Sequence, residues 1–386
     1  MKNPTVLHSS PIWLPQTQTW IYSQVAELQR LGLEAHVVCE RTENIEQFHV
    51  ANVHCLADEP KWRQVWDKGL RKLRMRRHMD YQISVGREVG AQIVHSHFDD
   101  AAWANLGAVR RLNAKHVVTF YGFDVNKLPT QFPAWRRRYR QLFDEADLIL
   151  CEGSHMAQCI IRLGCPAEKL KVQHLAVDVK HIKFSPRQWR PGEPLKVLIA
   201  ASFREKKGIP FAIEALGVLH KAIPVELTII GDAEADPASQ REKKIILDAL
   251  ERGGFSANAR LLGYQSYETL FREAYQHHIF LSPSVTASDG DTEGGAPVAL
   301  IEMAASGMPI VSTTHCDIPE IVQHGVTGLL AAERDVNGLV CHLKWFVENP
   351  EQWGDMLEAG RRHVELGYDL HTQGDNLITH YKALMG

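Results

Sequence analysis

The sequence predicts an α/β chain built from two doubly wound halves, and three observations carry that expectation. Strand-like residues 5–8 and 34–39 flank an amphipathic stretch, 20–33, that closes at Gly32, which is the βαβ unit of a parallel sheet. A turn-rich polar stretch, 185–194 (SPRQWRPGEP), interrupts the chain near its middle, and a strand-like run at 195–200 starts the pattern again. The length of 386 residues corresponds to two or three domains.

Composition narrows the functional class. Hydrophobic residues make up 45% of the chain and charged residues 23%, as expected of a globular protein with a sizeable core. A net charge of −3 argues against a nucleic-acid partner. The seven cysteines are odd in number and contain no C-x-x-C pair, which points to reduced thiols rather than a disulfide framework or a zinc site. The first residues, MKNPTVLHSSPIWLPQ, lack the apolar core of a signal peptide, and no run approaches the 18 apolar residues that would read as a membrane span. A cytoplasmic location is the expectation.

In the first half, the strand at 5–8 leads into a polar loop, 9–19. Ligands of doubly wound sheets bind beyond the carboxyl ends of strands, so Gln18 and Thr19 in that loop face the expected cleft. Residues 61–77 (KWRQVWDKGLRKLRMRR) are strongly basic, with Trp62, Trp66, Leu70 and Leu73 at helical spacing, and a second basic cluster follows at 135–140. Two readings stand side by side here: an apolar stripe packed into the core, or a basic amphipathic helix lying on an anionic membrane surface. A strand at 92–95 precedes Ser96, His97 and Phe98, and a strand at 115–120 precedes Tyr121, Gly122, Phe123 and Asp124. Both strand ends project toward the same expected cleft. A strand at 148–151, a helix at 154–163, a break at 164–166 and a run at 172–175 then reach Ala176-Val177-Asp178.

In the second half, the strand at 195–200 opens into AASFREKKGIP, a cationic loop before a helix start. Side-chain cations and free backbone N–H groups there suit a pyrophosphate. The strand at 225–231 ends in Gly231-Asp232, the strand at 259–263 ends beside Tyr264, and a further strand spans 279–283. Helices are expected at 351–364 and 373–384.

The most informative stretch is 293–313, EGGAPVALIEMAASGMPIVST. Gly294 and Gly295 allow close backbone approach to a ligand, Pro297 suits a first helical position, Val298 begins a short helix, and Gly307 stops it. Almost every position of that helix is apolar, so it is expected to be buried, and Glu302 in its middle needs a hydrogen-bonding partner from protein or ligand. Glu293 lies just before the helix in an acidic cluster with Asp289 and Asp291.

These residues resemble the signature of the retaining nucleotide-sugar glycosyltransferases with the GT-B fold. The family pattern is Glu, seven residues, Glu. Here eight residues separate Glu293 from Glu302, because the loop reads Gly-Gly-Ala-Pro. The flanks IFLSPSVTASDGDTEGG and GMPIVSTTHCDIPEIVQHGVTGLL are similar in particular to members that build exopolysaccharide and colanic acid-like repeat units. Elsewhere the chain departs from the family: Tyr121 stands where His is usual before the matching Asp124, Ser202 stands where the phosphate-loop Arg is usual with Arg204 two residues on, and Ala176 replaces Gly.

The resemblance implies two Rossmann-like domains facing across a cleft: an acceptor-side domain at 1–184, a linker at 185–194, a nucleotide-sugar domain at 195–368, and a terminal helix at 369–386 returning to the first domain. It implies transfer of a sugar from a UDP- or GDP-sugar donor to a glycan or lipid-linked oligosaccharide, with no metal and no other cofactor. Glu293, Arg204, Lys207, Tyr121 and Asp124 would carry the reaction. Glu302, Gly294, Gly295, Ala296, Pro297, Val298, Ser202, Gly231, Tyr264 and His97 would bind the donor, with Gln18 and Thr19 on the acceptor side. A lipid-linked acceptor would place the protein peripherally on the inner face of the cytoplasmic membrane. Two rival readings are a glycoside hydrolase using the two carboxylates as acid and nucleophile, and a nucleotide-binding regulatory protein without catalysis.

Overall fold

Short runs of aliphatic and β-branched residues with no exposed face become the strands of two parallel sheets; Val6–Ser9, Ala35–Cys39, Ile279–Ser282 and Ile310–Thr313 are buried at every position. The computed structural model describes residues 3–14, 19–44, 48–256 and 258–386. Contacts divide the chain into two units, one of Met1–Val177 with Leu370–Gly386, the other of Asp178–Asp369.

In the first unit the strands lie in the order Val53–Cys55, Ala35–Cys39, Val6–Ser9, Ile93–His97, Lys115–Thr119, Leu148–Cys151 and Leu170–Val172, every pair parallel. In the second the order is Ala259–Leu261, Val225–Ile230, Leu195–Ala200, Ile279–Ser282, Ile310–Thr313 and Leu329–Ala331, again all parallel. Each sheet therefore runs third, second, first, fourth, and the winding reverses between its first and fourth strands. Such a reversal, beyond the carboxyl ends of those two strands, is where doubly wound sheets bind their ligands. The α/β class and the Rossmann-like plan of both halves follow the sequence expectation.

Helices cover both faces of each sheet. Around the first, Val6, Val25, Val37, Ile93, Val117 and Leu377 form one core. Around the second, Val197, Ile199, Leu216, Phe255, Leu343 and Trp353 form another. The last helix, Leu370–Leu384, belongs to the first unit. It packs on helix Thr19–Arg30, its Gln373 bonds Gln173 at 2.8 Å, and its buried Tyr381 sets a hydroxyl 2.6 Å from His95 Nδ1.

Three boundaries differ from the sequence reading. Residues 185–194 are not a free linker, because the chain passes between units at Val177 and again at Leu370. Arg187 explains this: its buried guanidinium donates to Ala274 O at 3.0 Å and to Ser306 O at 2.8 Å, the last carbonyls of helices Tyr267–Ala274 and Val298–Ser306. A cation suits those two negative helix ends, and the carbonyls supply the hydrogen bonds that its burial demands. The basic helix spans Lys61–Lys72 and stops before Arg74, whose φ of 57° is left-handed. The strand expected at 92–95 continues to His97.

Gly208 opens helix Ile209–His220 with a φ of 62°, and a Cβ there would lie 1.9 Å from Pro283 O on the neighbouring loop. Gly192 also has positive φ, at 99°, but faces open space. Gly208→Ala should therefore cost about 3 kcal/mol or more in urea unfolding, through backbone strain and a clash that cannot relax. Gly192→Ala should cost only about 1 kcal/mol. Equal effects would show that the close approach to Pro283 is not what demands glycine.

Candidate functional site

The winding reversal of the second sheet is framed by the loops after its first and fourth strands, Leu195–Ala200 and Ile279–Ser282. They are stitched together. Val285 N–H donates to Lys206 O at 2.8 Å, Ser288 bonds the Glu205 carboxylate at 2.6 Å, and Gly208 closes on Pro283. Lys206 Nζ reaches Asp291 Oδ1 at 3.2 Å and Thr292 O at 2.9 Å.

Glu293 and Lys207 form the centre of this arrangement, with Nζ and Oε2 2.7 Å apart. Ser284 Oγ donates to the other carboxylate oxygen at 2.7 Å. Burial alone would raise the Glu293 pKa. The charges of Lys207 and Lys206, with the Lys207 and Ser284 hydrogen bonds, outweigh it and hold the carboxyl at about 2. Glu293 N–H donates to His315 Nε2 at 3.1 Å, so the ring proton sits on Nδ1, which donates to Glu333 Oε1 at 2.6 Å. This chain of bonds fixes the backbone of the loop as well as its side chain.

Gly294 then turns with a φ of 80°, Gly295 O accepts from Asp317 N–H at 3.3 Å, and Ala296 and Pro297 lead into helix Val298–Ser306. No side chain caps this helix or Ile209–His220; Leu300 N–H turns back to Pro297 O at 2.9 Å and Phe211 N–H to Gly208 O at 3.0 Å, which leaves the N–H groups of Val298, Ala299 and Ile209 at the two helix starts. Glu302 is buried in the first of these helices. Burial pushes its carboxyl up to about 7, and a hydrogen bond from Tyr267 pulls the other way. Tyr267 opens helix Tyr267–Ala274, and nothing in the local sequence around it signals this role.

Other expected residues are placed differently. Arg204 turns its guanidinium to Glu234 at 2.7 Å and Asp236 at 3.2 Å, not to Glu293. Ser202 is half-buried, and its carbonyl accepts from Arg204 N–H at 2.9 Å. Gly231, with a φ of 125°, lets its strand end approach Ala201 O and donates to Gly263 O at 2.8 Å. The Tyr264 hydroxyl is buried without a hydrogen-bond partner among the described residues.

Tyr121, Asp124 and His97 belong to the first unit. Tyr121 OH lies 2.9 Å from His97 Nδ1, and His97 Nε2 lies 3.1 Å from His8 Nδ1. Asp124 is buried and turned back onto Tyr121 N–H at 3.2 Å. Burial raises its pKa well above the usual range, with the Asp99 charge adding to the effect. His8, His95 and His97 could gather round a metal ion, but five of their six ring nitrogens already have hydrogen-bond partners. Burial lowers all three pKa values, that of His97 to about 3, so the rings are neutral. Gln18 lies outside the described residues. Thr19 is the first residue of its helix, and its side chain is outside the described part.

Comparison with known proteins finds two family matches. Residues 194–349 match the glycosyl transferases group 1 model, and residues 17–181 match glycosyltransferase family 4. The chain is 32% identical over 282 residues to the amylovoran biosynthesis glycosyltransferase AmsK of Erwinia amylovora, an alignment covering 72% of this chain and 66% of the relative. It is 27% identical over 408 residues to WcaL of Escherichia coli (strain K12), named as a glycosyltransferase of colanic acid biosynthesis, covering 95% and 97%. Among solved structures, Anabaena Alr3699/HepE in complex with UDP and glucose superposes with a TM-score of 0.78 at 17% identity, covering 98% of this chain and all of that one. At that identity the likeness shows the fold alone, which is GT-B.

The raised Glu302 pKa fixes a sign for stability. Between about pH 4.5 and 7 the folded state keeps a proton that the unfolded chain releases, so Glu302 costs stability as pH rises through that window. Glu302→Gln should raise stability by up to about 3 kcal/mol at pH 8, with the gain fading below pH ~4.5. Urea midpoints measured from pH 4 to 8 check this; a pH-independent difference would mean the carboxyl is not perturbed.

Proposed function

The chain belongs to the glycosyltransferases of group 1 and family 4, and on that premise we propose that it transfers a sugar from a nucleotide-diphosphate-sugar to a hydroxyl of a glycan or lipid-linked oligosaccharide, with retention at the anomeric carbon. Its place in exopolysaccharide biosynthesis rests on the likeness to AmsK and WcaL. A nucleotide-sugar donor is supported by the shared fold with a protein solved with UDP and glucose.

The observation that carries the reading is the Lys206–Lys207–Glu293 cluster at the winding reversal, between two helix N-termini. A donor diphosphate suits both the lysine ammonium groups and the uncapped N–H groups. As the bond from the anomeric carbon to the diphosphate breaks, the leaving oxygen takes the electron pair, and Lys207 and Lys206 stabilise that growing charge. We assign this role to lysines rather than to a metal ion. The acceptor oxygen bonds to the anomeric carbon and passes its proton to the departing diphosphate. Glu293, ionised at neutral pH, contacts sugar hydroxyls, and Glu302 accepts from the ribose hydroxyls. Arg204 contributes only if its pairing with Glu234 and Asp236 opens.

Neither rival is favoured. A hydrolase has no use for two lysines beside Glu293, and a non-catalytic role leaves the likeness to named transferases unexplained. The proposed setting is the cytoplasmic face of the membrane, where a lipid-linked acceptor would be met.

A thermal-shift screen of UDP- and GDP-sugars identifies the donor, since a ligand of the native state raises the midpoint. Proton NMR of the product then reads the anomeric configuration, and inversion would overturn the retaining assignment. Lys207→Ala should lower kcat about 10²–10³-fold while affinity for the free nucleoside changes little. Because that change strands a buried carboxylate, Lys207→Ala with Glu293→Gln should recover stability but not turnover. Glu302→Ala should weaken nucleotide-diphosphate binding by about 1.5–3 kcal/mol in calorimetry; unchanged affinity in a folded variant rules out the ribose contact.

A further inference from the structure

Helix Lys61–Lys72 sits on the first unit with its usual faces exchanged. Its charged side turns inward. Buried Asp67 accepts Tyr81 N–H at 2.9 Å and pairs with Arg71 at 3.1 Å, Arg71 also reaches Glu40, and Arg63 pairs with Glu59 at 3.0 Å. Leu70 is the one apolar residue of the helix that is buried. The rest of the apolar side turns outward: Trp62, Val65 and Trp66 are 71%, 71% and 59% exposed, and Leu73 just beyond is 71% exposed. At about 100° per residue these four fall within an arc of roughly 100°, one continuous stripe. Core packing therefore does not explain their spacing. Lys61, Lys68 and Lys72 flank the stripe along one side.

The second basic cluster meets the end of the first. Arg77 stacks over the Trp103 ring at 3.9 Å, and Arg138 of helix Ala134–Glu145 lies over that ring at 4.4 Å and over Trp135 at 4.5 Å. Two segments some 60 residues apart in the sequence thus meet at one indole. Arg136, Arg137 and Arg140 are exposed on the second helix. Among the described residues, neither these three nor Lys61, Lys68, Lys72 and Arg74 pair with a carboxylate, whereas the inward-facing Arg63 and Arg71 do.

We propose that this face is a membrane-docking surface for an anionic bilayer. The helix lies in the plane of the interface, with Trp62, Trp66 and Leu73 among the upper acyl chains and the lysines at the lipid phosphates. Unpaired cations bordering an apolar stripe match such a surface on both counts. A second copy of the chain matches it less well, because it would cover the apolar stripe and supply no anion to the cations beside it. No helix among the described residues is long and apolar enough to span, so the contact is interfacial. The proposal deepens the lipid-linked-acceptor reading and rests on it for its purpose, though not for its test.

The full chain is mixed with phosphatidylcholine vesicles, with or without phosphatidylglycerol, and sedimented. Expected are binding to anionic vesicles at low salt, at least tenfold weaker binding to neutral ones, and quenching of tryptophan fluorescence by brominated acyl chains. Trp62→Ser with Trp66→Ser should remove most of the quenching and weaken binding at least tenfold. Lys68→Glu, Lys72→Glu and Arg74→Glu together should abolish binding, and both variants should keep the parent's thermal midpoint and nucleotide-sugar turnover. Equal recovery in the supernatant with and without anionic lipid overturns the proposal, as does binding unaffected by the tryptophan changes. A concentration-dependent dimer lost in the tryptophan variant, without vesicle binding, overturns it in favour of a second copy. Vesicle binding without donor turnover would count against the transferase reading and leave the docking face standing.

Discussion

A buried carboxylate must be neutralised where it lies, and the pairing of Glu293 with Lys207 organises the second unit around that constraint. The two residues are 86 positions apart, on loops that leave neighbouring parallel strands. Their pairing, together with Lys206–Asp291 and the Gly208–Pro283 approach, makes one rigid wall out of two connections. It also sorts the acidic cluster. Asp291 is matched to Lys206 and Glu293 to Lys207, so each carboxylate is distinguished by which ammonium it meets, not by its distance in sequence to Glu302.

In the first unit the dominant constraint is burial without a countercharge. His8, His95 and His97 stay neutral, and their hydrogen bonds run through Tyr121, Thr119 and Tyr381. Tyr121 stands where a related sequence would place histidine, and an imidazole stands directly behind it, at His97. The register accounts for this: His97 is opposite Thr119 on the adjacent strand, two residues before Tyr121. The terminal helix closes the network through Tyr381, which ties the end of the chain to the centre of the first sheet.

Two helices, one in each unit, place their apolar residues in opposite ways. Ile209–His220 buries nearly all its apolar positions between the sheet and helices Pro237–Arg252 and Val336–Glu348, the usual outcome of hydrophobic burial. Lys61–Lys72 is instead anchored by Asp67, Arg71 and Glu40, polar contacts that hold it while leaving two indoles in water. A contiguous apolar stripe of that kind marks an interaction surface.

The sequence by itself determined the α/β class, the restart at residue 195, the short buried helix after Glu293 and the cationic loop at Lys207, because each is written in local periodicity, turn chemistry or a motif. It also made Glu302 conspicuous, as the lone carboxylate of an apolar helix. Only the tertiary structure decided the partners. Tyr267 meets Glu302, His315 orients Glu293, and Arg204 is drawn away by Glu234 and Asp236, each through contacts between elements distant in the chain. The run at 185–194 reads as a linker because its composition is that of a turn. It is structural because Arg187 finds two helix ends that no local pattern announces. Helical spacing at 61–73 identified an apolar stripe but not its direction, since periodicity reports which residues share a face and not what lies against that face.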